Sequence, residues 1–333
     1  MSQPRLAIAL GDPAGIGPEL ALKAALDPEI QALCVPVLVG DRVALELHAA
    51  ASGLAVEIVP LAAVAEADAA VARGAVALLD LGGFHDQPLR LGQVAAAHGR
   101  AAVGAAAAAI CAAMAGEVAA VVACPQTEIA IHEAGIPFDG YPSFVARITG
   151  TPVEDAFLML CFDATRIVHT TLHVSLAQAI ALITRERVGR VIAATHATLV
   201  RLGIAAPRIA VSGLNPHAGE HGMFGREEIE TIAPAIGAAR AAGIAAEGPF
   251  GADTMFRLPG YDAFVVMYHD QGHLAAKLLA TNRTAGLTIG TPILFSSVAH
   301  GSALDIAGRN RASPAAVIEA IRRLAGAAAQ QRE

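Results

Sequence analysis

The sequence predicts an α/β protein, and three observations predict it. Apolar runs of strand length alternate with longer helix-like stretches along all 333 residues. The runs are solid rather than alternating, as expected of parallel strands covered on both faces. Several stop abruptly at histidine, aspartate, asparagine or glycine, which is where open α/β sheets bind ligands.

Taken in order, residues 6–10 form a short buried strand. Gly11-Asp12-Pro13-Ala14-Gly15-Ile16-Gly17-Pro18-Glu19 then leads into a helix starting near Pro18, where a proline is tolerated. A glycine-rich loop there can approach an anion or can simply be a tight turn. It lacks the Gly-x-Gly-x-x-Gly spacing of a dinucleotide fingerprint. The valine-rich run 35–40 is the next strand, and 42–52 has apolar residues at helical spacing. Runs 56–60 and 76–81 add strands. Residues 92–115 are alanine-rich and predict one long helix able to pack closely against a neighbour. Strand 119–124 ends at Pro125. Proline and glycine punctuate 134–143, which reads as an inter-domain or active-site loop. Strands at 156–161 and 166–172, helices at 175–183 and 187–202, strand 208–214 and helix 227–242 follow. Valine and phenylalanine make 264–267 a fully buried strand that delivers Tyr268-His269-Asp270-Gln271-Gly272 at its end. A strand near 287–289, a loop at 300–309 and a helix over 314–328 complete the series.

The length favours two domains over one core. Hydrophobic residues make up 55 %, although alanine supplies much of that. The most apolar stretch, 101–116, falls short of the roughly 20 residues a membrane helix needs. A net charge of −7 without a lysine- or arginine-rich stripe argues against nucleic acid as a partner. Met1-Ser2-Gln3-Pro4-Arg5 shows no signal-peptide pattern, so a soluble cytoplasmic protein with no membrane partner is expected. Cys34, Cys111, Cys124 and Cys161 are widely spaced among apolar residues and read as reduced core thiols; a nucleophile at Cys124 is the alternative.

Three of the strand-like runs carry a histidine at or just past their ends: His173, His217 and His269. Each alone fits a structural histidine. Together, three imidazoles with open positions suit a divalent metal acting as Lewis acid on a substrate oxygen. Asp253 and Asp270 could orient these imidazoles or act as a base, or could be turn and cap residues. Lys277, on the helix after 264–267, could pair with a substrate carboxylate or protonate an enolate, or could be a solvated lysine. His132, His169, His221 and His273 are taken as structural or peripheral.

These motifs carry a resemblance. Gly-Asp-Pro-Ala-Gly-Ile-Gly-Pro-Glu at 11–19, Ala-Gly-Ile-Pro-Phe at 134–138, Gly-Leu-Asn-Pro-His-Ala-Gly-Glu at 213–220, Ala-Asp-Thr at 252–254 and Met-Tyr-His-Asp-Gln-Gly at 267–272 resemble the 4-hydroxythreonine-4-phosphate dehydrogenase family, over essentially the whole chain. The resemblance implies two α/β/α domains of the isocitrate/isopropylmalate dehydrogenase type with an active-site cleft between them. The first would be discontinuous, 1–122 and 296–333; the second, 123–295, would carry the metal histidines. It also implies a homodimer with shared active sites, and one divalent metal ion per site held by His173, His217 and His269 from both subunits. Zinc heads the candidates, with magnesium, manganese, cobalt and nickel open. NAD or NADP would accept the hydride. His300, Gly301, Ser302 and Asp305 stand in a loop similar to the cofactor loop of β-decarboxylating dehydrogenases.

The chain departs from that family at informative places. Phosphate-using members follow Ile-Pro-Phe-x-Gly with His-Thr, where this sequence has Tyr141-Pro142. Their substrate asparagine and arginine fall on Gly286 and Phe295. The donors a phosphate needs are replaced, while the histidines and Lys277 remain. Gly140-Tyr141-Pro142-Ser143 and Arg166-Ile167-Val168-His169 are instead similar to the branch that oxidises 1,2-dihydroxy-3,5-cyclohexadiene-1,4-dicarboxylate. The expected function is therefore metal-dependent, NAD(P)-linked oxidative decarboxylation of a β-hydroxy acid without a phosphate, such as that cis-dihydrodiol giving protocatechuate. Tyr141, Ser143, Lys277 and Phe295 would contact substrate, and Lys277, Asp253 and Asp270 are the candidates for moving the proton. The alternatives are a dehydrogenase of 4-hydroxythreonine-4-phosphate or a related phosphorylated sugar acid and, in another class, a three-histidine metal-dependent lyase or aldolase.

Overall fold

The computed structural model describes residues 3–84, 88–280 and 284–330. The chain divides into two compact units, Met1–Thr149 with Pro292–Glu333, and Gly150–Thr291. The first unit opens with β1 (Arg5–Ala9), α1 (Gly17–Ala25), α2 (Pro28–Leu33), β2 (Val35–Gly40), α3 (Arg42–Ala51), β3 (Ile58–Pro60), α4 (Ala67–Ala72), β4 (Val76–Asp80), α5 (Ala96–Met114), β5 (Ala120–Ala123), α6 (Glu128–Glu133) and α7 (Tyr141–Thr149). The second unit holds β6 (Phe157–Phe162), β7 (Thr165–His169), α8 (Leu176–Leu182), α9 (Arg185–Arg201), β8 (Arg208–Ser212), α10 (Ala233–Ala241), β9 (Ala245–Phe250), β10 (Ala263–Val266), α11 (His269–Leu279) and β11 (Ala285–Ile289). β12 (Phe295–Val298) and α12 (Ala315–Gln330) return to the first.

In the first unit the strands lie in the order β3-β4-β2-β1-β5-β12, all parallel. The central runs are buried, β2 and β5 at every position and β1 at all but its first, while β3 at the far end is not. Asp27 and Asp41 start α2 and α3 by accepting from the backbone N–H groups that a helix N-terminus leaves open. α5 packs over β1 and β2 through its small side chains. Its 19 residues are long and apolar enough to cross a membrane by length and composition, more than 101–116 suggested, and half of that window is buried inside the unit.

In the second unit the order is β11-β6-β7-β10-β8-β9. β11, β6 and β7 pair antiparallel, and β7, β10, β8 and β9 run parallel. Asp163, in the left-handed region at φ 44°, turns β6 tightly into β7.

Some elements differ from the sequence reading. The last residues of the expected loop, 141–143, instead begin helix α7; Pro142 lies in its first turn, where its missing N–H costs nothing. α6 and α7 pack on α5, so residues 123–149 belong with the first unit rather than the second. β9 was hidden by Pro249, which a strand at the end of the order tolerates. β12 was hidden by Ser296 and Ser297. The run 166–172 stops pairing at His169, so His173 lies four residues beyond the strand.

Candidate active site

Three strands of the second unit build the site. β7, β10 and β8 are adjacent and parallel, with Val266 beside His169 and Val265 beside Val211. Their C-terminal ends therefore share one edge. The segments leaving that edge are clamped to one another: Thr170 N–H donates to Val266 O at 2.9 Å, and Thr171 Oγ1 to Met267 O at 2.9 Å. Gln271 ties α11 to both neighbours, its Oε1 accepting from Met267 N–H at 2.7 Å and its Nε2 donating to Gly213 O at 3.0 Å.

His269 is the first residue of α11, and His273 and Lys277 follow at helical spacing on the same face. Asp270 Oδ1 lies 2.6 Å from His269 Nδ1. The His173 and His269 ring centroids are 5.6 Å apart. Two histidines set aside by the sequence reading join them. His169, fully buried, makes a 3.0 Å hydrogen bond through Nε2 with His273 Nδ1, and the His273 ring stacks on His269 at 3.7 Å and 9°. Burial first, then the His273 imidazole, lowers His169 to about 3; burial, then His269, lowers His273 to about 4. Both are neutral imidazoles at neutral pH. The His-x-x-x-His spacing in 269–273 was the signal available for His273. Lys277 is exposed and makes no hydrogen bond or ion pair with another described residue.

His217 stands in a left-handed turn beyond β8, where residues 217–221 have φ of 52°, 53°, 79°, 41° and 56°. Its ring contact is with Phe224, at 6.5 Å. Glu228, missed in the sequence because a glutamate at a helix start reads as solvated, is 3 % exposed. It accepts from the backbone N–H groups of Leu214 and Asn215, each at 2.7 Å, and from Asn215 Nδ2 at 3.0 Å. Burial pushes its carboxyl up, but these bonds outweigh burial and hold it below the usual carboxylate range. Asp253 is exposed near His217: a Cβ on Gly251 would sit 2.8 Å from Asp253 Oδ1 and 3.7 Å from His217 Cα.

The expected substrate residues of the first unit divide. Tyr141 is half-buried, and its hydroxyl is buried without a hydrogen-bond partner. Burial raises it well above the usual phenol range. Its ring meets Phe295 at 4.9 Å and Phe138 at 5.5 Å. Phe295 is 1 % exposed, so it backs Tyr141 from the core rather than meeting a substrate itself. Ser143 is turned inward and donates to Asp139, which also pairs with Arg147. Gly286 lies inside buried β11 opposite Leu160. In the expected cofactor loop, His300, Gly301 and Asp305 are exposed. Ser302 instead faces in, accepting from Thr127 Oγ1 at 2.9 Å through its hydroxyl and from Ile16 N–H at 2.9 Å through its carbonyl. Residues 11–20 are all buried, so the glycine-rich loop is a packed turn. Cys124 is fully buried and pushed up to about 12 by burial, which removes it as a nucleophile. Cys111 is exposed rather than in the core.

The profile of the pyridoxal phosphate biosynthetic protein PdxA matches residues 32–324. The chain belongs to the PdxA family. Among PdxA relatives it is 43 % identical over 324 residues, 96 % of each chain, to a Symbiobacterium thermophilum protein provisionally named D-threonate 4-phosphate dehydrogenase. It is 40 % identical over 321 residues, 95 % of this chain and 96 % of the other, to the 1,2-dihydroxy-3,5-cyclohexadiene-1,4-dicarboxylate dehydrogenase of a Comamonas species. The structure of a 4-hydroxythreonine-4-phosphate dehydrogenase from Burkholderia phymatum superposes with a TM-score of 0.85 at 35 % identity, over 98 % of this chain and 99 % of that one.

The implied metal and nicotinamide can be tested against these residues. Two imidazoles on one tetrahedral metal put their ring centroids about 5 Å apart at metal–nitrogen bonds of roughly 2.0–2.1 Å. His173 and His269, at 5.6 Å, are close to that. Asp270 engages His269 Nδ1 and leaves Nε2 as the ligating atom, the tautomer that carboxylates impose on metal-bound histidines. The pair fits a metal. Among the described residues of one chain, no group of three His, Cys, Asp or Glu could hold an ion, and His217 is not brought to the pair. His300 and Gly301 are exposed, as a cofactor loop requires; Ser302 serves the loop's own structure.

Proposed function

We propose that this protein oxidises and decarboxylates a β-hydroxy acid that carries no phosphate, with a cis-dihydrodiol carboxylate such as 1,2-dihydroxy-3,5-cyclohexadiene-1,4-dicarboxylate as substrate and protocatechuate as product. As a PdxA-family member whose relatives are dehydrogenases over nearly their full length, the chain is an oxidoreductase acting on a CH–OH group. The observation that carries the finer reading is the Tyr141–Phe295 contact. Both positions depart from the phosphate-using pattern, and the two departures meet in one aromatic packing, with Phe295 buried behind a half-buried Tyr141. An apolar backing of this kind suits a ring better than a dianion.

When bound, a divalent cation supplies Lewis-acid polarisation of the substrate oxygen and a nicotinamide accepts the hydride. His173 and His269 would hold the cation, with His217 completing the set from a second copy of the chain in a homodimer with shared sites. Asp270 fixes the His269 tautomer, and Asp253 stands ready to do the same beside His217. Lys277, exposed and unpaired on the His269 face of α11, would bind the substrate carboxylate or protonate the enolate left when carbon dioxide departs. In the cyclohexadiene that enolate is itself the aromatic catecholate, and it needs only a proton on oxygen. NAD and NADP both fit this reading, as does zinc among the divalent metals.

A second reading has its own support. The relative at 43 % identity carries a phosphorylated hydroxy acid in its name. The two readings separate on kcat/KM measured side by side with added zinc. Three lost charge-assisted bonds at roughly 1.5–3 kcal/mol each predict up to about 4.5–9 kcal/mol against a phosphate. That corresponds to a preference for the dihydrodiol on the order of 10³- to 10⁶-fold. The dihydrodiol should give reduced cofactor and carbon dioxide in equal amounts. Faster turnover of D-threonate 4-phosphate or 4-hydroxythreonine-4-phosphate would overturn the phosphate-free reading.

A further inference from the structure

Beneath His269 lies a pair of imidazoles that the reaction as derived does not use. His169 ends β7 and is fully buried. Its Nδ1 faces Leu158 O at 3.4 Å, and a carbonyl can only accept, so Nδ1 carries the proton and Nε2 is an acceptor. His273 Nδ1 faces that Nε2 at 3.0 Å and His269 O at 3.3 Å. Both are acceptors, so the His273 proton also sits on Nδ1. The two rings are therefore locked in one tautomeric chain that begins at the backbone of β6. The locked His273 ring lies face to face with His269 at 3.7 Å and 9°.

One residue records the cost of this arrangement. Gly272 lies inside α11, where glycine is less favourable than alanine. A Cβ there would stand 2.4 Å from His169 Nε2, 2.8 Å from Ile167 Cγ2 and 2.9 Å from Val266 Cγ2. The helix gives up a side chain at the spot where His169 must approach to reach His273.

We propose that His169 and His273 are positioning residues for His269: the hydrogen-bonded pair sets the plane of the His269 ring, and Gly272 admits the pair. Asp270 holds the ring's edge at Nδ1 and the stack holds its face, so Nε2 is aimed before anything binds. This inference rests on the reading of His269 as a metal ligand.

The test uses the full-length protein and Co²⁺ as probe, with affinity measured by chelator competition and the visible Co²⁺ spectrum recorded for each variant. Wild type should bind, and His269→Ala should lose binding. His273→Ala should weaken binding 10- to 100-fold, the usual effect of removing a residue that orients a ligand. Gly272→Ala should do the same by displacing His169. His273→Phe, which keeps a ring in the stack, should recover more affinity than His273→Asn, which keeps only the donor. A purely structural role would lower Tm across these variants and leave the affinity and spectrum of the folded fraction unchanged. Wild-type affinity and spectrum in His273→Ala, with binding lost in His269→Ala, would overturn the positioning role while sparing the metal. Equal Co²⁺ binding by wild type and His269→Ala would instead remove the metal reading, and the positioning role with it. If Gly272→Ala does not fold, the half-buried His273 position decides alone.

Discussion

Replacing Glu228 by alanine should loosen the turn that carries His217 while barely changing global stability. The turn places His217, Ala218, Glu220 and His221 in the left-handed region. At roughly 1–2 kcal/mol each, four such residues store about 4–8 kcal/mol. Opposing this are three hydrogen bonds to the buried Glu228 carboxylate. At roughly 1.5–3 kcal/mol each, they contribute about 4.5–9 kcal/mol if they add. The two quantities nearly cancel, so the carboxylate is what holds the turn. Without it the turn relaxes and recovers its strain, so the net loss should be small, on the order of 1 kcal/mol, or a Tm drop of about 2–4 °C. Hydrogen–deuterium exchange across 213–222 should accelerate by an order of magnitude or more, with the strands unaffected. Acid should mimic the substitution. The folded carboxyl lies below its unfolded value, so its contribution is complete above about pH 4.3 and is lost as pH falls through the folded value. Unchanged exchange at 213–222 together with a large Tm drop would refute this reasoning, because Glu228 would then be a core residue that the turn does not need.

Two further outcomes follow from buried polar atoms. Tyr141→Phe removes an unpartnered hydroxyl, so denaturant unfolding should show unchanged stability or a gain of up to about 1–3 kcal/mol; kcat/KM on the dihydrodiol should fall, and unchanged kinetics would take the hydroxyl out of substrate binding. His48 is fully buried with Nε2 3.1 Å from Pro13 O, and burial lowers it against the opposing pull of that carbonyl, Glu19 and Asp12. Because the unfolded chain takes up this proton first, stability should decline as pH drops below about 6.5. His48→Gln should flatten that decline in Tm between pH 5 and 7, and parallel curves would assign it to other groups.

The sequence announced the edge where the candidate site sits. Solid apolar runs ending at histidines are parallel-strand ends, and β7, β10 and β8 proved to be neighbours. Lys277 was placed on the helix after His269 by the same logic. Side-chain direction was not legible. Phe295, Ser143 and Ser302 had the right chemistry at the right positions, yet each faces inward, because which face of a strand or turn points to solvent depends on packing partners distant in sequence. Glu228 was missed for a related reason, since a charged residue at a helix start looks solvated until the fold buries it; His169, taken as structural or peripheral, is buried, but its contact with His273 depends on the same distant packing. The short elements β12 and α7 were obscured by serines and by a proline that tertiary pairing overrides.

The return of β12 to the first unit has a consequence for how the protein is made. On a ribosome, β1 to β5 emerge long before residues 292–333, and β5 has no partner on its far side until Leu294 O accepts from Val121 N–H. At roughly 5–20 residues per second, translating the intervening second unit takes on the order of ten seconds. During that interval a wholly apolar strand edge stands open to any passing chain. The second unit, contiguous in sequence, has no such wait, so nascent protein should pass through a stage in which the half carrying the candidate site is finished while the other half still lacks a strand.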